Sequence, residues 1–317
     1  MPARSLTCSK KMDYKKPTEV NRPEHYSGIQ SFFSCPMKYY YSYVHNGHGI
    51  VSIDHVPAMA FGTAIHFGLA SYAQHRSYDS VAGKIIKDTE ILFNGMMYPC
   101  RDDVAAKIFG LKANIRAALI TSFNNFFIDY LDTYAEVPFY VPEYNFYGTV
   151  DRIDKGIKRI LWEYKTSSSL SINTVKSLVN SIQQPIYVLC LNKIGFPVDC
   201  VNTAIIKKST LRTRVKEEME ELTLRIAAEY ISKPSEYIFK SEWDVDKKLL
   251  VDTEIELRAA LDIIRSTSVY YRNTSNCFSM MGNRCRYYMI CRDDITLGYK
   301  DKEPLNLGKH KEERPWL

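Results

Sequence analysis

The stretch PFYVPEYNFYGTVDRIDKGIKRILWEYKT, residues 138–166, is β-rich in a chain whose other patterned segments read as helices. Two β-rich runs flank Asp154-Lys155-Gly156, which is a hairpin signal. The chain must therefore pair strands here and pack helices around them, which places it in the α/β class. Residues i and i+2 of a strand share a face. Glu163 and Lys165 consequently point together, while Tyr164 points the other way. Asp151 lies on the strand before the turn. If the register sets Asp151 and Glu163 on one face, antiparallel pairing brings their carboxylates within a few ångströms.

Two carboxylates that close repel unless one holds a proton or a cation sits between them. Hard oxygen ligands of this kind suit Mg²⁺ or Mn²⁺. Lys165, one strand step past Glu163, stands where it can stabilise charge growing on a phosphate. Glu163 and Lys165 alone would be an ordinary exposed ion pair.

The helical segments run over 27–45, broken at Cys35-Pro36, over 58–73, and over about 103–132, where apolar residues recur at three and four. Further helices are expected at about 173–193, 211–232 and 246–266. Pro185 should make the first of these begin or kink near Gln183. Residues 270–292 read as a loop-like cysteine region, and the tail from Lys300 reads as polar and extended. His66 stands four residues after Gly62 on a helix; taken alone, it is an ordinary core histidine. Gln183 and Tyr187 are also four apart and share a helix face. Glu143, just before a strand, reads as surface charge.

The 317 residues can bury a full core, with 45% hydrophobic and 25% charged residues. The net charge of +6 permits a polyanionic partner without demanding one. Lys207, Lys208, Arg212 and Arg214, together with 23 tyrosines, offer backbone and stacking contacts. No apolar run has the length of a membrane span, and residues 1–20 lack the apolar core of a secretory signal. The chain is expected in the cytoplasm, in a reducing compartment, with no membrane partner. Its eight cysteines are then expected as thiols or metal ligands rather than disulfides. Cys277, Cys285 and Cys291 are spaced too widely for a zinc-knuckle C-x-x-C. Three thiolates need a fourth to complete a Cys₄ zinc site or a [4Fe–4S] cluster, and Cys35 is the candidate. Cys8, Cys100, Cys190 and Cys200 are read as ordinary reduced thiols. No phosphate-binding loop of the G-x-x-x-x-G-K-[S/T] type is present, so the chain carries no ATP-driven motor of that type.

Four phrases occur in order: Gly62-Thr-Ala-Ile-His66, Gly148-Thr-Val-Asp151, Glu163-Tyr-Lys165 and Gln183-Gln-Pro-Ile-Tyr187. In this order they resemble the RecB-type nucleases of the PD-(D/E)XK superfamily. The phrase around Cys35 and the late cysteine triad resemble its iron–sulfur members, the AddB nuclease-domain and CRISPR-associated exonuclease group. The resemblance implies a mixed central sheet flanked by helices, with a helical cap tied by a [4Fe–4S] cluster on Cys35, Cys277, Cys285 and Cys291. It implies His66, Asp151, Glu163 and the Tyr164 carbonyl as ligands of Mg²⁺ or Mn²⁺, and Lys165 as the catalytic amine. Gln183 and Tyr187 carry over as supporting or DNA-positioning residues.

The expected organisation is a flexible arm at 1–26, a nuclease domain at 27–292 and a polar tail at 293–317. The expected function is a metal-dependent deoxyribonuclease, an exonuclease acting on DNA ends or single strands in recombination, repair or processing, with a helicase or recombination protein as partner. The alternative is a DNA-binding accessory protein of the same fold that cuts weakly. A zinc clip is the alternative to the iron–sulfur cluster.

Overall fold

The computed structural model describes residues 22–52, 57–75, 86–88, 102–126, 132–278 and 284–308. The chain forms two compact units, one from residues 1–53 and 259–305 and the other from 54–258 and 306–317. Among the described residues no helix is long and apolar enough to cross a membrane.

The first unit opens with α1 (Tyr26–Ser34) and α2 (Pro36–Tyr39). Cys35 separates them in an extended conformation, because the residue before a proline avoids helical dihedrals. A wide turn and a 3₁₀ turn follow, then the short strand β1 (Ile50–Ser52).

The second unit begins with α3 (Pro57–His75) and α4 (Asp102–Phe126). Strand β2 (Asp132–Val141) turns through Pro142–Tyr144 into β3 (Phe146–Lys155), and β4 (Arg159–Ser167) follows. After α5 (Ile172–Val179) and α6 (Gln183–Lys193) come β5 (Cys200–Lys207), α7 (Met219–Ser232), α8 (Pro234–Tyr237) and β6 (Ile238–Asp244). Helix α9 (Lys247–Ser266) then crosses the boundary between the units along the chain. Helix α10 (Tyr288–Asp293) and strand β7 (Tyr299–Asp301) complete the first unit, and β7 pairs antiparallel with β1.

Sheet order in the second unit is β2-β3-β4-β5-β6. Only the β4–β5 pair is parallel. The sheet is thus mixed, as the α/β expectation required. Strand β5, CVNTAIIK, is buried along nearly its whole length, which suits a parallel strand covered on both faces. Ile160, Trp162 and Tyr164 of β4, with Ala204 and Ile206 of β5, join a core with Phe61, Ile65 and Leu69 of α3, Leu119 and Phe123 of α4, and Ile226 of α7. Helix α6 packs against β2 and buries Ile186, Val188, Leu189 and Leu191. Burial of these large side chains, each contributing about 1.5–3 kcal/mol, outweighs any single polar contact in the unit.

Several element expectations need correction. The helix expected over 211–232 starts at Met219, where Glu218 and Glu221 form a capping box. The helix expected over 173–193 is two helices, and the second starts at Gln183, so Pro185 sits in its first turn, where it removes no needed hydrogen bond. The helix expected to reach 132 is described to Phe126, Asp132 already belongs to β2, and residues 127–131 lie outside the described residues.

A candidate metal and nucleic-acid site on the hairpin

Strands β3 and β4 pair Arg152 with Trp162 and Lys155 with Arg159. Continuing this register sets Asp151 opposite Glu163. The alternation then divides the hairpin chemically. Tyr164 enters the helical core, where its hydroxyl accepts from Arg152 Nη1 at 2.9 Å. Arg152 and Asp154 are themselves fully buried, and Asp154 also accepts from Trp162 Nε1 at 2.8 Å and Thr133 Oγ1 at 3.0 Å. Every polar group of that network is paired, so it fixes the hairpin register without leaving a charge exposed to apolar surroundings.

On the other side of the alternation lie Asp151, Glu163 and Lys165. Asp151 Oδ1 is 3.0 Å from His66 Nδ1, and its Oδ2 accepts from the Tyr164 backbone N–H at 2.7 Å. Lys165 Nζ lies 2.5 Å from Glu163 Oε1 and donates to Gln183 Oε1 at 2.8 Å. The Tyr187 hydroxyl lies in hydrogen-bond reach of the Gln183 side chain. His66, Asp151, Glu163, Lys165, Gln183 and Tyr187 are therefore assembled at one place within one unit. Two glycines permit this assembly. A Cβ on Gly148 would meet Phe139 at 2.5 Å and Tyr187 at 3.2 Å, and one on Gly62 would meet Thr166 Oγ1 at 3.1 Å.

Electrostatics divide the two carboxylates. Burial works against charge on both. His66, the Tyr164 N–H and Lys165 nonetheless hold Asp151 below the ordinary carboxylate range. Burial and the Asp151 carboxylate push Glu163 up to about 7, against the pull of Lys165. Burial also opposes charge on His66, but Asp151 raises it to about 9. Glu163 and His66 are thus driven to hold protons beside a charged Asp151, in a place where a cation could replace them.

One residue escaped the sequence reading. The β2–β3 ladder pairs Ala135 with Arg152 and Val137 with Val150 but skips Glu136, whose φ is +50°. That left-handed conformation is uncommon for any residue with a Cβ. It accompanies a carboxylate whose oxygen lies with His66 and Asp151 in a set of ligand atoms all within 4.8 Å of one another. Nothing in the local pattern of DTYAEVPFYV marks Glu136, because a strand register cannot be read from one acidic residue. Glu143, by contrast, takes the bland role expected of it and pairs with Arg258 and Lys193 on the surface.

In the first unit, Cys35, Cys277, Cys285 and Cys291 line one small cavity, together with Met37, Tyr41 and Tyr287. Asn273 donates its backbone N–H to Cys35 Sγ at 3.4 Å, and Cys285 N–H donates to the Cys277 carbonyl at 2.8 Å. Burial raises the Cys285 and Cys291 thiols, and the neighbouring sulfurs add to the rise. No three of the sulfurs lie within 4.8 Å of one another. Tetrahedral zinc with Zn–S near 2.3 Å would need sulfurs about 3.8 Å apart. Cys190 and Cys200 are buried free thiols, whereas Cys8 and Cys100 lie outside the described residues.

A five-stranded mixed sheet between helices, carrying a buried Glu163 between the part-buried Asp151 and Lys165 on its β3–β4 hairpin, defines the class as α/β. A family model of the PD-(D/E)XK nuclease superfamily matches residues 26–292, and the chain belongs to that superfamily of hydrolytic, divalent-metal-dependent nucleases. A solved structure of a candidate exonuclease from Eubacterium rectale is similar over 89% of this chain and 90% of that one, at 13% identity and a TM-score of 0.46. No curated protein sequence matches the chain.

Proposed function

We propose that this protein is a Mg²⁺- or Mn²⁺-dependent deoxyribonuclease that trims DNA ends or single strands during recombination, repair or processing. The observation that carries the reading is the convergence of Asp151, Glu163, Lys165 and His66 on one hairpin face and the helix beside it. The donor set is hard oxygen with one imidazole, which suits Mg²⁺ or Mn²⁺. His66, Asp151, Glu163 and the Tyr164 carbonyl would hold the ion, and Glu136 adds a further carboxylate to the same place. A divalent cation there supplies positive charge to the scissile phosphate and lowers the pKa of water.

The protein's own groups supply the rest. Lys165, steered by Gln183, sets an ammonium where negative charge gathers on the phosphate. Tyr187 braces Gln183 and fills the space left by Gly148. The four cysteines that line the small cavity of the first unit would hold a [4Fe–4S] cluster, in a structural role that ties residue 35 to the segment 277–291. The absence of a phosphate-binding loop from the sequence favours work beside a helicase or recombination protein.

Digestion of 5′- and 3′-labelled single- and double-stranded DNA with Mg²⁺, Mn²⁺ or EDTA tests the proposal. Metal-dependent loss of label is expected. A protein that binds DNA and leaves it uncut with every metal would be an accessory factor instead.

A further inference from the structure

Beyond the hairpin site, the second unit holds a cavity of about 740 Å³ lined by Gly110, Leu111 and Asn114 of α4, Ser168, and residues 208–213. It opens at the carboxyl ends of β4 and β5, the only parallel pair in the sheet. Crevices outside the carboxyl ends of parallel strands are where open α/β sheets take their ligands. Ser168 follows Lys165 by three residues. At about 3.3 Å per strand residue the backbone at the cavity stands roughly 10 Å from that of Lys165.

The wall facing this space is built, not incidental. Asn114 is buried; its Oδ1 accepts from Ser209 N–H at 2.9 Å, and its Nδ2 donates to the Gly110 carbonyl at 2.9 Å. Lys208 N–H donates to the Ser167 carbonyl at 2.8 Å, which carries the parallel ladder one residue past its last pair. The Tyr230 hydroxyl fastens the Lys207 carbonyl. These bonds hold Lys208 at the cavity in a half-buried position. Burial alone pushes its ammonium below the ordinary lysine range, and no carboxylate among the described residues pairs with it. Arg212 stands exposed on the same lining, also without a carboxylate partner among the described residues. The neighbouring Lys207 is different, because its ammonium lies 4.8 Å from the Tyr237 ring centre. The floor is apolar, from Gly110, Leu111 and Leu211, and the rim carries the hydroxyls of Ser168, Thr210 and Thr213. A cation and hydroxyls beside an apolar floor match a phosphate joined to a base.

The geometry points to a nucleotide subsite. One nucleotide of the DNA strand, a few positions from the scissile phosphate, lies in this cavity with its phosphate on Lys208 and its base against the α4 floor. This inference rests on the nuclease reading above. It makes Lys208 a substrate-positioning residue and gives the nuclease a preference for strands long enough to reach it.

The test is fluorescence anisotropy with a labelled single-stranded DNA oligonucleotide in EDTA, at several salt concentrations. Lys208→Ala is expected to weaken binding on the order of fivefold and to lower the slope of log affinity against log salt by about 0.7, the share of one phosphate contact on a single strand. Gly110 has open space where a Cβ would stand, so Gly110→Trp places an indole in the cavity. It should weaken binding to a similar degree with the slope unchanged, because no charge is lost. Lys158→Ala, at the opposite end of β4, is the control and should change neither quantity. If wild type binds and Lys208→Ala behaves like Lys158→Ala, the subsite is wrong and the nuclease reading stands. If wild type neither binds nor cuts DNA, both fall together. Thermal melting checks that Gly110→Trp is folded, and Lys208→Ala alone decides the matter if it is not.

Discussion

Asp151 and Glu163 cannot both be charged in one buried space without help, and the variants that probe them should separate by role. Asp151→Asn and Glu163→Gln are each expected to cut turnover at least about a hundredfold. Glu163→Gln should leave the melting temperature near or above that of wild type, because it removes the carboxylate that burial and Asp151 disfavour, whereas Asp151→Asn should lower it, because it takes the charged partner from His66. Lys165→Ala should lose on the order of 10²–10³ in kcat with metal affinity retained, which titration calorimetry would establish. Near-normal turnover in that variant would remove the lysine from the mechanism. Gln183→Ala moves the amine without deleting it and should cost about tenfold in kcat. Glu136→Gln should weaken metal binding about ten- to hundredfold, measurable without any DNA present. In the first unit, His25 packs edge-on against Tyr43, and burial, with Arg22 and Lys302 nearby, lowers its pKa to about 3. The unfolded chain takes up a proton on His25 near pH 6.5, whereas the folded one resists until about pH 3. Its contribution to stability is therefore complete above pH 6.5 and declines as pH falls toward 3, by about 1.4 kcal/mol per pH unit at most. His25→Gln should flatten that part of the stability–pH curve relative to wild type in urea titrations; identical slopes would sink the assignment.

At the scale of elements, two glycines predict opposite outcomes from the same substitution. Gly110 lies inside α4 with open space around it, so Gly110→Ala should raise stability by about 0.5–1 kcal/mol. Gly148 lies under Phe139 and Tyr187, so Gly148→Ala should destabilise the second unit and shift Tyr187 away from Gln183. Comparing the two melting curves checks both. The elements also explain what could be read in advance. The β3–β4 hairpin was legible because its turn residues and alternation are local signals, and so was the start of α6, because Pro185 dictates it. Strand β5 was not, since CVNTAIIK lacks alternation and its burial comes from neighbours distant in sequence. Helix α7 was placed too early because residues 211–218 carry a helix-like charge pattern, whereas residues 211–213 line a cavity and the capping box of Glu218 and Glu221 starts the helix. Glu136 stayed hidden for a related reason: its role depends on a backbone conformation that no residue type announces.

Across the whole molecule, the first unit joins residues 1–53 to residues 259–305, and the second unit takes the long stretch between them together with residues 306–317. A group bound by Cys35, Cys277, Cys285 and Cys291 would therefore close a loop of most of the chain. Closing such a loop removes on the order of 5 kcal/mol of unfolded-chain entropy in cross-link models. Cys35→Ser should lower iron content and melting temperature together, with little change in metal affinity at the hairpin. Stoichiometric zinc in aerobic and anaerobic preparations alike would replace the cluster with a zinc clip. The parallel pairing of β4 with β5 has a consequence in time. Parallel neighbours need a crossover, and here it is the segment 168–199 that carries Gln183 and Tyr187. The chain cannot dock β5 beside β4 without sweeping Gln183 over Lys165. Closing the sheet and arming the amine are thus one event in folding, and a long-range one, among the slower kinds. Amide protection along Cys200–Lys207 and recovery of DNA cleavage should rise in the same kinetic phase, so that a partly folded chain holds the carboxylates yet leaves DNA intact.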